Sequence, residues 1–207
     1  MNKHIKYLLE EIQKFDVTDY TDDNTVSTDE INHLVFNYRP STKKELKDII
    51  IKRAKENPAK PYLLDIDTSK ITDMSELFNT ELYRKGGSFI SSYLEELDLS
   101  TWNTSNVSNM RAMFWDCYNL KKVNISSFTT EKLVNVRGMF SGCRNLETID
   151  MSSFSNTYYI DDLAHMFNGC KNLKEIKNIN SWRIDWVSDL RDIFKDCPDS
   201  IIPDWYK

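Results

Sequence analysis

One unit, repeated four times, constrains this chain more than any other feature. It is clearest over residues 94–119, LEELDLSTWNTSNVSNMRAMFWDCYN. It returns at Leu120, Leu146 and Leu173, so the starts lie 26, 26 and 27 residues apart. Counting each first leucine as zero, offsets 0, 3 and 5 are apolar: Leu94, Leu97 and Leu99, then Leu120, Val123 and Ile125, then Leu146, Ile149 and Met151, with Leu173 and Ile176 in the last unit. Offset 8 is aromatic, as Trp102, Phe128 and Phe154, and Trp182 follows one place later. The alternation at offsets 3 and 5 predicts a short strand. The second half changes period. Val107, Met110, Met113 and Phe114, like Leu133, Val136, Met139 and Phe140, are spaced by threes and fours. That spacing predicts about two turns of helix with one buried face. One such unit cannot bury its apolar side alone, whereas stacked neighbours make a continuous core. The expected class is therefore α/β: a short right-handed leucine-rich-repeat solenoid of parallel strands plus short helices, with a helical N-terminal cap.

Two regions follow. Residues 1–60 read as the N-terminal helical cap region. Residues 61–207 read as a truncated first repeat, four further repeats and a C-terminal cap. In the first region, residues 3–14 place Ile5, Leu8, Leu9 and Ile12 on one helical face. Residues 16–29 are acidic, but they lack the alternating acids, central glycine and closing glutamate of a calcium loop, and read as solvated chain. Residues 30–38 read as a strand or a short helix, with Val35 and Phe36 inside. Thr42 with Glu45 is a capping box for a helix over residues 43–57, with Leu46, Ile49, Ile50 and Ala54 on its inner stripe. Pro58 and Pro61 close it. Leu64 and Ile66, then Ile71, Met74, Leu77 and Phe78, repeat the motif in shortened form, so the helix is placed to cover the open end of the stack. Phe78 to Leu94 is 16 residues where Phe114 to Leu120 is 6, so residues 79–93 hold an insertion, expected as a loop on a working face. After Cys197 the motif stops, and Ile201, Ile202 and Trp205 are expected to fold over the last repeat.

The run L-x-x-L-D-L-S-x-W-N-T-S-N-V-x-N-M-x-x-M-F-x-x-C resembles the BspA-type leucine-rich repeat of bacterial surface proteins, a family largely of unknown function, across roughly residues 63–207. The resemblance implies a structural or adhesive repeat protein, mostly surface-located or secreted. The N-terminal stretch MNKHIKYLLEEIQKFDV departs from it. Glu10 and Glu11 interrupt its apolar run, and no small-residue cleavage site follows. Three readings stay open: the chain remains inside the cell, as the recorded sequence reads, or it leaves by another route, or the recorded sequence lacks its export segment. No stretch of 18 apolar residues is present, so no spanning helix is expected.

Chemistry is sparse. A net charge of −5 with both signs dispersed lacks the concentrated basic face of a nucleic-acid binder. Cys117, Cys143, Cys170 and Cys197 each follow the repeat phenylalanine by three places. Equivalent positions stack with parallel side chains, a poor geometry for a disulfide, and no short C-x-x-C pair suggests zinc. A column of buried free thiols is expected. The repeated Met-Phe pairs recur at constant offsets and read as core rather than a cofactor stripe. His4, His33 and His165 have no nucleophile or acid at a catalytic spacing, and no phosphate loop or hydrolase motif appears. No catalytic, cofactor or metal site is assigned. Serines and threonines in the bend, and Asn119, Asn145 and Asn172, are expected to bond local backbone.

Offsets 2 and 4 face away from the core. They supply the candidate partner-binding residues Glu96, Asp98, Lys122, Asn124, Asp150 and Glu175, with the insertion as one wall. Offset 1 alternates in sign, Glu95, Lys121, Glu147, Lys174, so these charges can pair between units. The favoured function is a non-enzymatic protein–protein interaction module using this face. A surface or adhesion repeat is the alternative, and an enzyme is the third and weakest reading.

Overall fold

A computed structural model describes residues 36–79, 89–154 and 158–207. The readings for residues 3–14, 16–29 and 30–35, and for most of the 79–93 insertion, fall outside these.

The strand-plus-helix solenoid is not what forms. The described residues contain a single α-helix, α1 (Lys43–Glu56), and it lies outside the four full units. They also contain two separate two-stranded parallel sheets, β1 (Glu96–Asp98) with β2 (Lys122–Asn124), and β3 (Thr148–Asp150) with β4 (Glu175–Lys177). The result is a small mixed α/β domain. Where short helices were expected, each unit makes tight turns.

The reason lies in the backbone. Ala112, Gly138, His165 and Asp192 occupy one repeat position, and all have φ between 53° and 60°. Four residues later Asp116, Gly142, Gly169 and Asp196 are again left-handed, with φ of 54–78°. Left-handed residues four apart cannot belong to a right-handed helix. Instead of bonding along the chain, alternate N–H groups reach the next unit. Met110, Ala112, Phe114 and Asp116 donate to the carbonyls of Asn135, Arg137, Met139 and Ser141 at 2.8–2.9 Å. Val136, Gly138, Phe140 and Gly142 donate likewise to Asp162, Ala164, Met166 and Asn168 at 2.8–3.2 Å. The pattern continues from Leu163, His165, Phe167 and Gly169 to the last unit, and begins with Met74, Glu76 and Phe78. An Asx turn opens each run: Asn109, Asn135, Asp162 and Asp189 accept the N–H two residues on through their side chains.

The apolar spacing nevertheless puts the expected residues inside. Met113, Phe114, Met139, Phe140, Met166 and Phe167 are all fully buried. Phe78, Phe114, Phe140, Phe167 and Phe194 stack face to face along the units, with ring centroids 5.0–5.8 Å apart. Trp182 stacks between Phe154 and Trp205, so the C-terminal tryptophan continues a second aromatic column, and its indole N–H donates to the Ile179 carbonyl at 3.1 Å.

At the other end, Leu46, Ile50 and Ala54 of α1 are fully buried in the same core. The N-cap forms as the sequence indicates, with Thr42 Oγ1 accepting from the Glu45 N–H at 3.2 Å. The glutamate reaches back to accept the Ser41 N–H at 2.7 Å. Arg53 donates to buried Asp65 at 2.6 Å and lies over the Tyr38 and Tyr62 rings, tying α1 to the first unit.

A glycine at the second left-handed position has a measurable role. A Cβ on Gly142 would clash with Asp116 Oδ1 and meet the Asp116 Cα at 3.2 Å, with φ at +78°. On Gly138 the nearest atom would be Ser141 Cβ at 3.7 Å, and the equivalent residue in the preceding unit is already alanine, Ala112. Gly138→Ala should destabilise by about 1–2 kcal/mol from its left-handed φ alone, and Gly142→Ala by more, about 2–4 kcal/mol, because its Cβ also clashes. Urea denaturation of both variants checks the order. Equal losses would contradict the two-turn backbone.

Candidate functional site

The outward face of the two sheets is built by register. In the first sheet Glu96 pairs with Lys122, Leu97 with Val123 and Asp98 with Asn124. In the second, Thr148 pairs with Glu175 and Asp150 with Lys177. Leu97, Ile149 and Ile176 point inward and are buried, while Asp98, Lys122, Asn124, Asp150 and Glu175 are exposed and Glu96 is half-exposed. The offset-1 charges do pair between units: Lys121 with Glu95 at 2.8 Å, and Lys174 with Glu147 at 2.7 Å. The contact with Glu95 raises the Lys121 pKa, and Lys174 lowers that of Glu147. These pairs are exposed, so they favour register more than they add stability.

Asp98, Asn124 and Asp150 turn out to have a second task. Their side-chain oxygens accept the N–H of Ser100, Ser126 and Ser152 at 3.1, 3.2 and 2.9 Å, closing the bend after each strand. The Ser152 N–H is the largest reason that the Asp150 carboxyl titrates below its usual range. Offset 4 is therefore constrained to Asp or Asn wherever this turn forms. The hydroxyls reach farther than expected. Thr101 donates to the Leu64 carbonyl, Thr104 to that of Thr129, and Ser127 to those of Leu99 and Trp102, so they join neighbouring units. Asn119 likewise bonds the Ser92 carbonyl.

Four of the six candidate residues come together. Glu96, Asp98, Lys122 and Asn124 line one groove of about 360 Å³ with residues 60–64 on its other side. Asp150 and Glu175 lie on the second sheet, outside this lining. The groove is closed at one end, where Glu95 and Glu96 donate to the Ala59 carbonyl at 2.9 and 3.2 Å. Lys60 Nζ spans to Glu96 Oε2 at 2.9 Å, and this hydrogen bond is the main reason that the Glu96 pKa is lowered. Tyr62 and Leu64 give the wall an apolar part. Sequence reasoning did not single out residues 60–64 as a wall. The available signal was Pro61, which has no N–H to offer a neighbouring strand.

Chemically the face can hold a polypeptide or polar ligand by hydrogen bonds and local charge. Among the described residues no group of three or more His, Cys, Asp and Glu side chains is placed to hold a metal ion. His165 sits in a left-handed turn, with Nδ1 3.7 Å from Asp192 Oδ2. The cysteines are free. Cys143, Cys170 and Cys197 each direct the thiol to the carbonyl of the preceding unit's phenylalanine, Phe114, Phe140 and Phe167, at 3.2, 3.2 and 3.0 Å. Burial pushes the Cys117 and Cys143 pKa values well up, which removes the thiolate a nucleophile needs.

The family described as "Mycoplasma protein of unknown function, DUF285" matches residues 86–205. The chain belongs to that family. Its matched region takes in all four full units, with both sheets and the Phe column from Phe114 to Phe194. No curated protein matches the chain, and no solved structure does. Among the described residues of this DUF285 chain, no helix is long and apolar enough to cross a membrane.

The thiol geometry predicts an order of reactivity. Cys197 is half-buried and the other three are buried. With a slow aromatic disulfide reagent under native conditions, Cys197 should react first, and Cys117, Cys143 and Cys170 only as the protein unfolds. Mass spectrometry of the labelled peptides reads this directly, and early labelling of Cys143 would contradict the column.

Proposed function

We propose that this chain is a non-enzymatic protein-recognition module. Its working face is the outward side of the sheets: Glu96, Asp98, Lys122 and Asn124 around the groove, with Asp150 and Glu175 extending the same polar surface. The observation that supports this most is the groove itself. It brings both signs of charge and an apolar wall onto a frame fixed by backbone ladders on one side and the α1-anchored first unit on the other. A rigid, mixed-charge surface selects partners by pattern rather than by net attraction. Lys122 makes no ion pair within 4.0 Å among the described residues and faces outward at the centre of the face, so it is the natural point of contact.

The test is site-specific photo-crosslinking. A benzophenone amino acid at Lys122 should trap a discrete protein in cells of the source organism, and the same group at Lys55, on the exposed side of α1, should not. Lys122→Glu should weaken binding of the trapped partner at least tenfold, because it sets like charge beside Glu96. Folding should change by about 0.5 kcal/mol or less, as for other exposed substitutions. Crosslinks from Lys55 alone, or wild-type affinity for Lys122→Glu, would overturn this assignment.

A further inference from the structure

The rungs of the stack define one column along its edge. The N–H groups of Ser108, Val134, Asp161 and Ser188 each donate at 2.9 Å to the carbonyl at the same place in the unit before. Two residues earlier, that column therefore reads Lys70, Asn106 and Lys132, then Tyr159 and Trp186. Tyr158 and Asp185 stand in the adjacent column, where Glu131 precedes them. In the early units the edge is polar and closes on itself. The Asn106 amide donates to the Ser69 carbonyl at 2.9 Å, and Lys132 Nζ to Asn106 Oδ1 at 2.7 Å. In the last two units it becomes aromatic. Tyr158 makes edge contacts with both Tyr159 and Trp186, with ring centroids 4.9 Å apart in each pair. These rings are not core: Tyr158 and Tyr159 are 56% exposed and Trp186 is 43% exposed. Rings braced against one another at the surface offer contact area at little entropic cost, and bare apolar area of this kind marks a contact site.

Carboxylates flank the rings. Asp185 adjoins Trp186 in the chain, Asp161 follows Tyr159 by two residues in its column, and Glu131 precedes Tyr158 in the other. All three are exposed, and none makes an ion pair within 4.0 Å among the described residues. The protein itself shows what such a set holds. At α1 the Arg53 guanidinium lies over the Tyr38 and Tyr62 rings, 5.2 and 5.7 Å from their centroids, and donates to the Asp65 carboxylate at 2.6 Å. Two tyrosines and a carboxylate thus seat one arginine. On the edge column rings and carboxylates recur, and among the described residues no Lys or Arg lies over Tyr159 or Trp186.

We propose that the edge formed by Tyr158, Tyr159 and Trp186 is a second binding site, which takes an arginine side chain of a partner polypeptide. The planar guanidinium stacks on an aromatic face, and its N–H groups reach past the ring to Asp161 or Asp185. The uncompensated carboxylates select a cation over a neutral ligand. The rings select guanidinium over ammonium, because it is planar and more weakly hydrated. None of these residues lines the sheet groove, so the site goes beyond the protein-recognition face and does not depend on it.

The probe is a fluorescein-labelled five-residue peptide that alternates glycine and arginine, titrated into the full chain. Anisotropy reads its affinity, and NMR of the Trp186 indole N–H reads its place. The expected result is saturable binding that moves the Trp186 resonance. The same peptide with lysine for arginine should bind at least fivefold more weakly. So should a citrulline peptide, which keeps the planar stack and loses the charge. Trp186→Ala and Asp185→Asn should each weaken binding at least fivefold, and Lys122→Glu should change it less than twofold. Equal affinity for the lysine peptide would reduce the effect to charge attraction and overturn the arginine site. Absence of binding, or binding that survives Trp186→Ala, would overturn it as well. A neutral oligosaccharide that moves the Trp186 resonance where the arginine peptide does not would give the rings to a sugar and overturn it too. The lysine and citrulline comparisons use the unaltered protein, so they decide the question even if a variant misfolds. Failure here leaves the Lys122 crosslinking test of the sheet face untouched.

Discussion

The structure depends on one arrangement of backbone. In the second half of each unit, alternate peptide groups stand parallel to the stack, with carbonyls toward the preceding unit and N–H groups toward the following one. Four such bonds join each pair of full units, at 2.8–3.2 Å. Each net contribution is modest, about 0.5–1.5 kcal/mol, but the bonds are periodic and leave no freedom of register. Everything laid on this ladder inherits its spacing. The phenylalanine rings stack at 5.0–5.8 Å because the backbones beneath them are held at that repeat. The thiols meet the phenylalanine carbonyls for the same reason.

Such a ladder is polar along its length. Its first unit ends in carbonyls and its last in N–H groups, so peptide dipoles add as they do in a helix. Charges follow that polarity. Lys43 reaches Asp73 and Ser75 at the carbonyl end. Asp192 and Asp196 stand in the last unit, among the N–H groups of Leu190, Asp192, Phe194 and Asp196, which no following unit receives. The two ends are closed by different means: an amphipathic helix at one, and at the other a short tail whose Trp205 continues the aromatic column.

The outward face is shaped by what this frame leaves over. Its acidic and amide positions after each strand are partly consumed by the bends they close, which is why Asp98, Asn124 and Asp150 serve turn and surface at once. The charge pairs Glu95–Lys121 and Glu147–Lys174 recur every second unit. In the first unit Pro61 has no N–H to donate to β1, and a groove opens there instead of a paired strand.

Much of this was legible in the residues alone. The 26- and 27-residue period, the identity of the buried positions, the helix after Thr42 and the pairing of alternating charges follow from pattern, because burial and register depend on spacing that a sequence displays directly. The conformation of the second half did not. Apolar residues three and four apart suit one face of a helix and equally suit a tight turn that passes its hydrogen bonds to a neighbour. The choice rests on left-handed φ at Glu76, Ala112 and His165, residue types that carry no glycine signature and whose N–H groups reach the adjoining unit's carbonyls only in that conformation. The groove was hidden for a related reason. Residues 60–64 and β1 are brought side by side only by α1 docking on the first unit, and whether two neighbouring segments pair or stand apart is decided by where their carbonyls already point.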